Sequence, residues 1–244
     1  MRFTIIDLET TGLNPQEDEI IEVGLLQFKH NDFINPVITK SYSGSQEPKK
    51  PLTDIVRKIT GLTDEALEGE ALDWNVISEI INESDLIIAH NAKFDRGFME
   101  ASGKWASQSR WACSMQHINW VAHGFKTSSL NYLACDHGFV NPFAHRALFD
   151  CATTFRLITP YLEELYENSA YREVKVSAVG APFEVKDNLK MNGYRWDNQK
   201  RVWFKMLLEP SLEKERNFLA TEIYQGAPHH LEEILTDDNG GITG

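Results

Sequence analysis

Apolar and polar positions divide the chain into two stretches of different rhythm. Over residues 1–170, short apolar runs alternate with amphipathic segments, which predicts a mixed α/β region. Strands are expected at 2–7, where Phe3-Thr4-Ile5-Ile6 runs into Asp7, and at 19–29, 37–42 and 85–89. Asn14-Pro15 supplies a turn between the first two. Helices are expected at 53–60, 63–68, 73–82, 93–102, 114–123, 129–137 and 147–167. Thr63 can cap the second, which opens on Asp64 and Glu65. Trp74, Ile77 and Ile81 form one stripe on the third.

After Asn168 the rhythm changes. A strand at 173–178 and a short helix at 186–192 precede a hairpin, 194–196 and 202–205, turning at Asp197-Asn198-Gln199. A helix at 211–224 closes this second unit. Residues 227–244 end in the Gly-rich run DDNGGITG and are expected to be disordered. The organisation is therefore 1–168, 171–226 and a tail at 227–244. Eight of the 26 aromatics fall within 171–226, enough to nucleate a small core of its own.

Composition narrows the class. With 42% hydrophobic and 25% charged residues, the 244-residue chain is neither fibrous nor wholly disordered. No apolar run approaches the roughly 18 residues that span a bilayer, so no membrane partner is expected. Asp7 and Glu9 interrupt the start too early for a secretion signal, and the cytoplasm is the expected location. Three cysteines, Cys113, Cys135 and Cys151, fit free thiols in a reducing compartment.

The net charge of −12 argues against a broad basic nucleic-acid surface, but it is unevenly spread. Residues 1–170 carry 14 basic and 24 acidic side chains, whereas 171–226 carry 10 and 8. The final 18 residues add four acids and no Lys or Arg.

Three local constellations carry chemistry. Asp7 and Glu9 alternate along a strand and so share a face. Two carboxylates at the end of an apolar strand repel one another unless a cation sits between them, and hard oxygen ligands suit Mg²⁺ or Mn²⁺. A pair of exposed loop acids fits the same D-x-E. His90-Asn91-Ala92-Lys93-Phe94-Asp95 follows a strand and opens a helix, where Asp95 can be either a ligand or a first-turn acid. His145 and Asp150 precede and open a long helix, and each has an ordinary surface reading too. Cys113, His117, His123, Cys135 and His137 lack a C-x₂-C pair, which argues against zinc, and neither G-x-S-x-G nor a Walker loop is present.

The order of these three pieces resembles the exonuclease motifs of the DEDD superfamily, histidine type. The flanks agree: Asp-Leu-Glu-Thr-Thr-Gly-Leu at 7–13, Ile-Thr-Gly-Leu-Thr at 59–63, Ala89 to Arg96, and His145 to Cys151. They are most similar to those of exonuclease X and of the proofreading exonuclease subunit of the bacterial replicative polymerase. The resemblance covers about residues 1–167. It implies a ribonuclease H-like α/β fold, a mixed sheet flanked by helices, with 171–226 as an added α+β module. It further implies a 3′–5′ exonuclease acting on DNA 3′ ends, single strands preferred, and releasing nucleoside 5′-monophosphates.

By the same resemblance, Asp7, Glu9, Asp95 and Asp150 hold two Mg²⁺ or Mn²⁺ ions and His145 is the general base. Thr10, Thr11, Gly12, Leu13, Leu62, Asn91 and Phe94 are the expected substrate contacts, although Leu62 and Phe94 also suit a core. An exoribonuclease trimming RNA 3′ ends, or a non-catalytic nucleic-acid-binding scaffold, stays open as an alternative. In 186–205, Lys and Arg interleave with Tyr194, Trp196, Trp203 and Phe204. That pattern fits a nucleic-acid platform, a protein-docking surface, or simply the core of a small module.

Overall fold

The computed structural model describes residues 1–104 and 110–235. The chain separates into two compact units, Met1–Ser169 and Ala170–Gly244. Among the described residues, no helix is long and apolar enough to cross a membrane.

The first unit is a mixed sheet between two helical layers. Its strands are β1 (Arg2–Thr10), β2 (Ile20–Asn31), β3 (Ile34–Ser45), β4 (Leu86–Ala89) and β5 (Arg110–Cys113), in the order β3-β2-β1-β4-β5. β1, β2 and β3 pair antiparallel, while β4 lies parallel to β1 and β5 to β4. The helices are α1 (Asp54–Thr60), α2 (Asp64–Leu67), α3 (Trp74–Asn82), α4 (Ala92–Ala101), α5 (Leu130–Asp136), α6 (Ala147–Ile158) and α7 (Leu162–Asn168).

Alternation along β1 sorts its side chains between the layers. Phe3 and Ile5 pack with Leu26, Phe28, Leu133, Cys151, Leu157 and Leu165, beneath α5 to α7. Ile6 and Leu8 pack with Val23, Leu25, Ile77, Ile81, Phe98 and Met99, beneath α3 and α4. Asp7 and Glu9 continue the first of these rows and so emerge on the α6 side.

The structure departs from the pattern in four places. Residues 114–123 form turns rather than a helix. His117 Nδ1 accepts the Cys113 N–H (3.1 Å) and Asn119 Oδ1 the Ala122 N–H (3.1 Å), local bonds that compete with a helical ladder. The segment 147–167 is not one helix: Pro160 lies in a 3₁₀ turn, Thr159–Tyr161, that separates α6 from α7. β5 escapes the pattern because four residues, Arg-Trp-Ala-Cys, are too few to display a period.

The fourth departure is in the tail. His230–Leu235 is not disordered but forms strand β9 of the second unit, antiparallel to the strand at Glu173–Val179. The Gly-rich run at 237–244 lies outside the described residues.

The second unit holds β6 (Glu173–Val179), α8 (Lys186–Met191), β7 (Arg195–Asp197), β8 (Val202–Leu208), α9 (Leu212–Phe218), a π-helical turn at Leu219–Ile223, and β9. Its sheet runs β7-β8-β6-β9, antiparallel throughout. Val174, Val176, Ala178, Leu189, Tyr194, Leu219 and Ile223 make its core.

Candidate active site

The site forms where β1 and β4 stop pairing. Their ladder covers only Phe3, Thr4 and Ile5, so the Leu8 N–H has no strand partner on that side. Asp95, in the first turn of α4, fills the gap by accepting it at Oδ1 (3.1 Å). Asn91 makes the approach possible by entering α4 at φ +90°, a left-handed conformation that Asn tolerates. Asp95 thus reaches the strand acids from one helical layer.

Asp150 reaches them from the other layer. Its Oδ1 accepts from Asn141 Nδ2 (2.8 Å) and its Oδ2 from the His145 N–H (2.8 Å). His145 itself has φ +64°, which turns its exposed ring over the acids at the start of α6. One ligand atom each of Glu9, His145 and Asp150 lies within 4.8 Å of the other two.

The close seat of α6 on the sheet depends on two residues of β2. Gly24, opposite Asp7 in the ladder, lies so near that a Cβ would fall 2.3 Å from the Ala147 carbonyl carbon. Glu22, opposite Glu9 and 1% exposed, takes the Arg146 guanidinium (Nη2 to Oε1, 2.9 Å) and the first N–H of α6, from Ala147 (3.2 Å). This carboxylate at a helix N-terminus anchors the element that carries Asp150.

His90 is a brace rather than a base. Its Nε2–H donates to the Ser128 carbonyl (2.7 Å), leaving Nδ1 to accept from the Ser114 hydroxyl (2.7 Å). Burial pushes its imidazole down to about 4, so the ring stays neutral at working pH.

The acids are held in an unfavourable state. Burial, then repulsion from Asp95, Asp150 and Glu9, raises the Asp7 carboxyl far above its ordinary range. Burial and the neighbouring Asp150 push Glu9 up to about 8, and burial pushes Asp95 up to about 8. Asp150 is raised as well, chiefly by burial. Arg146, whose guanidinium is engaged by Glu22, relieves Glu9 only in part. Four converging carboxylates with so little compensating charge form a hard-oxygen donor set of the type that fits divalent cations.

A cleft of about 520 Å³ opens over these groups. Thr10, Gly12, Leu13, Asn91 and Phe94 line it. Two of the expected contacts do not line it. Thr11 is tied into its own turn, where its hydroxyl accepts the Glu19 N–H (2.9 Å). Leu62 is buried among Ile21, Leu52, Val56 and Leu67, beneath α1 and α2. Its side chain lies in the apolar core there and not in the lining of the cleft.

Leu62→Ala is accordingly expected to cost about 2–4 kcal/mol of stability while KM for an oligonucleotide stays within about twofold. Chemical denaturation and steady-state kinetics check this, and a raised KM at parental stability would contradict it.

Several lining residues are not among the expected contacts. Ile55 and Ile59 on α1 are 70% and 49% exposed and face the cleft together with Leu13, across from Ser129 and Asn131. Glu22, Gly24 and Asn141 lie outside every motif, and Arg146 lies in the flank of one without an expected role. The only visible signal was an acid and a glycine inside the otherwise apolar run at 19–29.

Comparison with known proteins identifies the family and the fold of this unit. The RNase_T exonuclease family model matches residues 4–158. A DNA polymerase III of PolC type from Thermotoga petrophila is 30% identical over 169 residues, covering 66% of this chain but only 12% of the polymerase. Exonuclease X in complex with 5′-overhanging duplex DNA shares the fold at a TM-score of 0.50 and 24% identity, covering 66% of this chain and 91% of that one. The nuclease domain of 3′hExo, a DEDDh family member bound to rAMP, does so at 0.54 and 16% identity, covering 67% and 92%. The mixed sheet flanked by helices is the ribonuclease H-like arrangement of these exonucleases. With 155 of its 244 residues matched, in a unit that gathers four acids and a histidine around one cleft, the chain belongs to the exonuclease family.

Proposed function

We propose that the protein is a 3′–5′ exonuclease that removes nucleoside 5′-monophosphates from 3′ ends of DNA, with single strands preferred. The observation that carries this reading is the meeting of β1, α4 and α6, which brings Asp7, Glu9, Asp95, Asp150 and His145 to one cleft. The exonucleases of this superfamily use divalent metal ions. The four carboxylates are assigned as ligands of two Mg²⁺ or Mn²⁺ ions. When bound, such ions polarise the scissile phosphate, acidify water and offset charge on the leaving oxygen.

The chain's own residues supply the rest. His145 is placed to accept a proton from the attacking water and, because its ring is exposed, to pass it to solvent. Asn141 and the His145 N–H fix the Asp150 carboxylate. The Thr10 hydroxyl donates to the Gly12 carbonyl (2.6 Å) and holds the turn at the cleft mouth. Leu13, Ile55, Ile59 and Phe94 offer apolar surface on which terminal bases of any sequence can stack. That suits an enzyme indifferent to sequence.

Digestion of 5′-labelled single- and double-stranded DNA and RNA with Mg²⁺ or Mn²⁺ tests the reading. A ladder shortening from the 3′ end, fastest on single-stranded DNA, is the expected result. Faster digestion of the RNA would move the substrate to RNA, and no digestion of any oligomer would leave a binding protein. His145→Ala is expected to lower kcat about 10²–10⁴-fold, the usual worth of general-base catalysis. Calorimetric Mg²⁺ affinity should stay near that of the parent, and its loss would refute the base role.

A further inference from the structure

The family match ends at residue 158, and nothing in the nuclease reading uses the second unit. Its aromatics divide into two sets. Tyr194 is buried, 3% exposed, and serves the core. Phe183 and Trp196 lie outside it, 73% and 44% exposed. Core formation explains Tyr194 but not these two.

The exposed rings belong to a continuous row. Lys186 Nζ lies 3.9 Å from the centre of the Phe183 ring. Lys190 follows one turn along α8 on the same side, since residues four apart share a helix face. Its Nζ is 5.9 Å from the centre of the half-buried Trp203 ring. Trp203 meets Trp196 edge to face across the β7–β8 pair, with centroids 5.3 Å apart. Ring, cation, cation, ring, ring therefore run from the start of α8 to the edge strand of the sheet. Arg195, Lys200 and Arg201, all exposed, lie on that edge and its turn.

Charge follows the same geography. Residues 183–205 hold six Lys and Arg against three Asp and Glu, in a chain whose net charge is −12. Two of those acids are engaged. Asp197 caps its own turn by accepting from the Gln199 and Lys200 N–H groups and pairs with Lys175 (3.6 Å), and Asp187 pairs with Lys190 (3.7 Å). Glu184 is the third.

We infer that this row is a binding platform for a single-stranded polynucleotide. Bases stack on Phe183 and Trp196, while Lys186, Lys190 and the β7 edge contact phosphates. Stacking on exposed rings needs unpaired bases, so a paired duplex is excluded from the rings. No carboxylate of the cleft enters this inference, so it stands or falls apart from the nuclease reading.

The test uses the full chain in EDTA, with fluorescence anisotropy of labelled 15-mers of oligothymidylate, oligouridylate and a mixed duplex. Trp196→Ala is expected to weaken single-strand binding roughly 5- to 150-fold, the range for losing one base stack. Lys186→Gln/Lys190→Gln should weaken it too and reduce the slope of log K against log salt by about 1.4. Neither variant should alter hydrolysis of the p-nitrophenyl ester of thymidine 5′-monophosphate, a mononucleotide with no flanking chain for the platform to hold. The relative losses on the two single strands tell which polymer is preferred. Parental affinity in both variants, at parental melting temperature, overturns the proposal. So does an equal loss on the duplex. The lysine pair, on an exposed helix face, keeps the test decisive if Trp196→Ala disturbs folding.

Discussion

Asp7→Asn is expected to abolish hydrolysis while leaving the metal-free protein as stable as the parent or more so. Asp7 sits on the central strand, and its carboxyl is repelled by Asp95, Asp150 and Glu9. An amide keeps the shape and removes a group whose ionisation burial and the neighbouring acids oppose. The loss of activity should reach at least ~10³-fold, about 4 kcal/mol of transition-state stabilisation. In EDTA at pH 8 the melting temperature should hold or rise. A Mg²⁺ concentration about 100 times Kd should stabilise the parent by roughly 2.7 kcal/mol and the variant far less. Thermal melts with and without Mg²⁺, beside a 5′-labelled digestion assay, check both halves. Activity within tenfold of the parent would remove Asp7 from the site, and a metal-free variant much less stable than the parent would show that its charge is not strained.

The second large effect is on pH. Glu9 moves from an ordinary 4.5 to about 8 and Asp95 from 3.8 to about 8, both chiefly through burial. A folded carboxyl with a raised pKa keeps a proton that the unfolded chain has released. Its contribution is therefore present at low pH and is lost as pH rises toward 8. Buried histidines oppose this at lower pH. His90 and His117 fall to about 4, so charging them in the unfolded chain costs the fold stability below about 6.5.

Between pH 6.5 and 8 the unfolded imidazoles lose most of their charge and the carboxyl effect dominates. There the metal-free protein should lose on the order of 1–3 kcal/mol, at up to about 1.4 kcal/mol per pH unit per proton. Urea unfolding in EDTA at pH 6.5, 7.2 and 8.0 measures it. Saturating Mg²⁺ should flatten or reverse the slope, because cation binding displaces those protons. A slope that is flat or rising in EDTA would mean that the acids are better solvated than their burial indicates.

How far the sequence reaches depends on the range of each signal. Alternation on β1 is local, so the common face of Asp7 and Glu9 could be read directly. The capping residues Thr53, Thr63 and Asp73 likewise mark helix starts through bonds to neighbours only two or three residues on. The turns at 114–123 defeated the pattern because His117 and Asn119 satisfy the backbone through side chains, and apolar spacing does not report that. β9 was hidden because its partner, β6, lies more than fifty residues away.

By itself, then, the chain marked most of its elements and the change of character after residue 168, since these follow from local spacing, whereas the set of acids could be named only from the resemblance of three separated motifs. Only the tertiary structure decided how closely those acids meet. That closeness rests on Gly24 giving α6 room, on Glu22 receiving its first turn, and on Asp95 taking the Leu8 N–H that β4 leaves free. It also decided that Leu62 is core whereas Ile55 and Ile59 face the cleft, and that Trp196 stays outside while Tyr194 goes in. The reason is one of distance: the register of facing layers joins residues up to 146 positions apart, and no local period encodes which of two apolar side chains the opposite layer will cover.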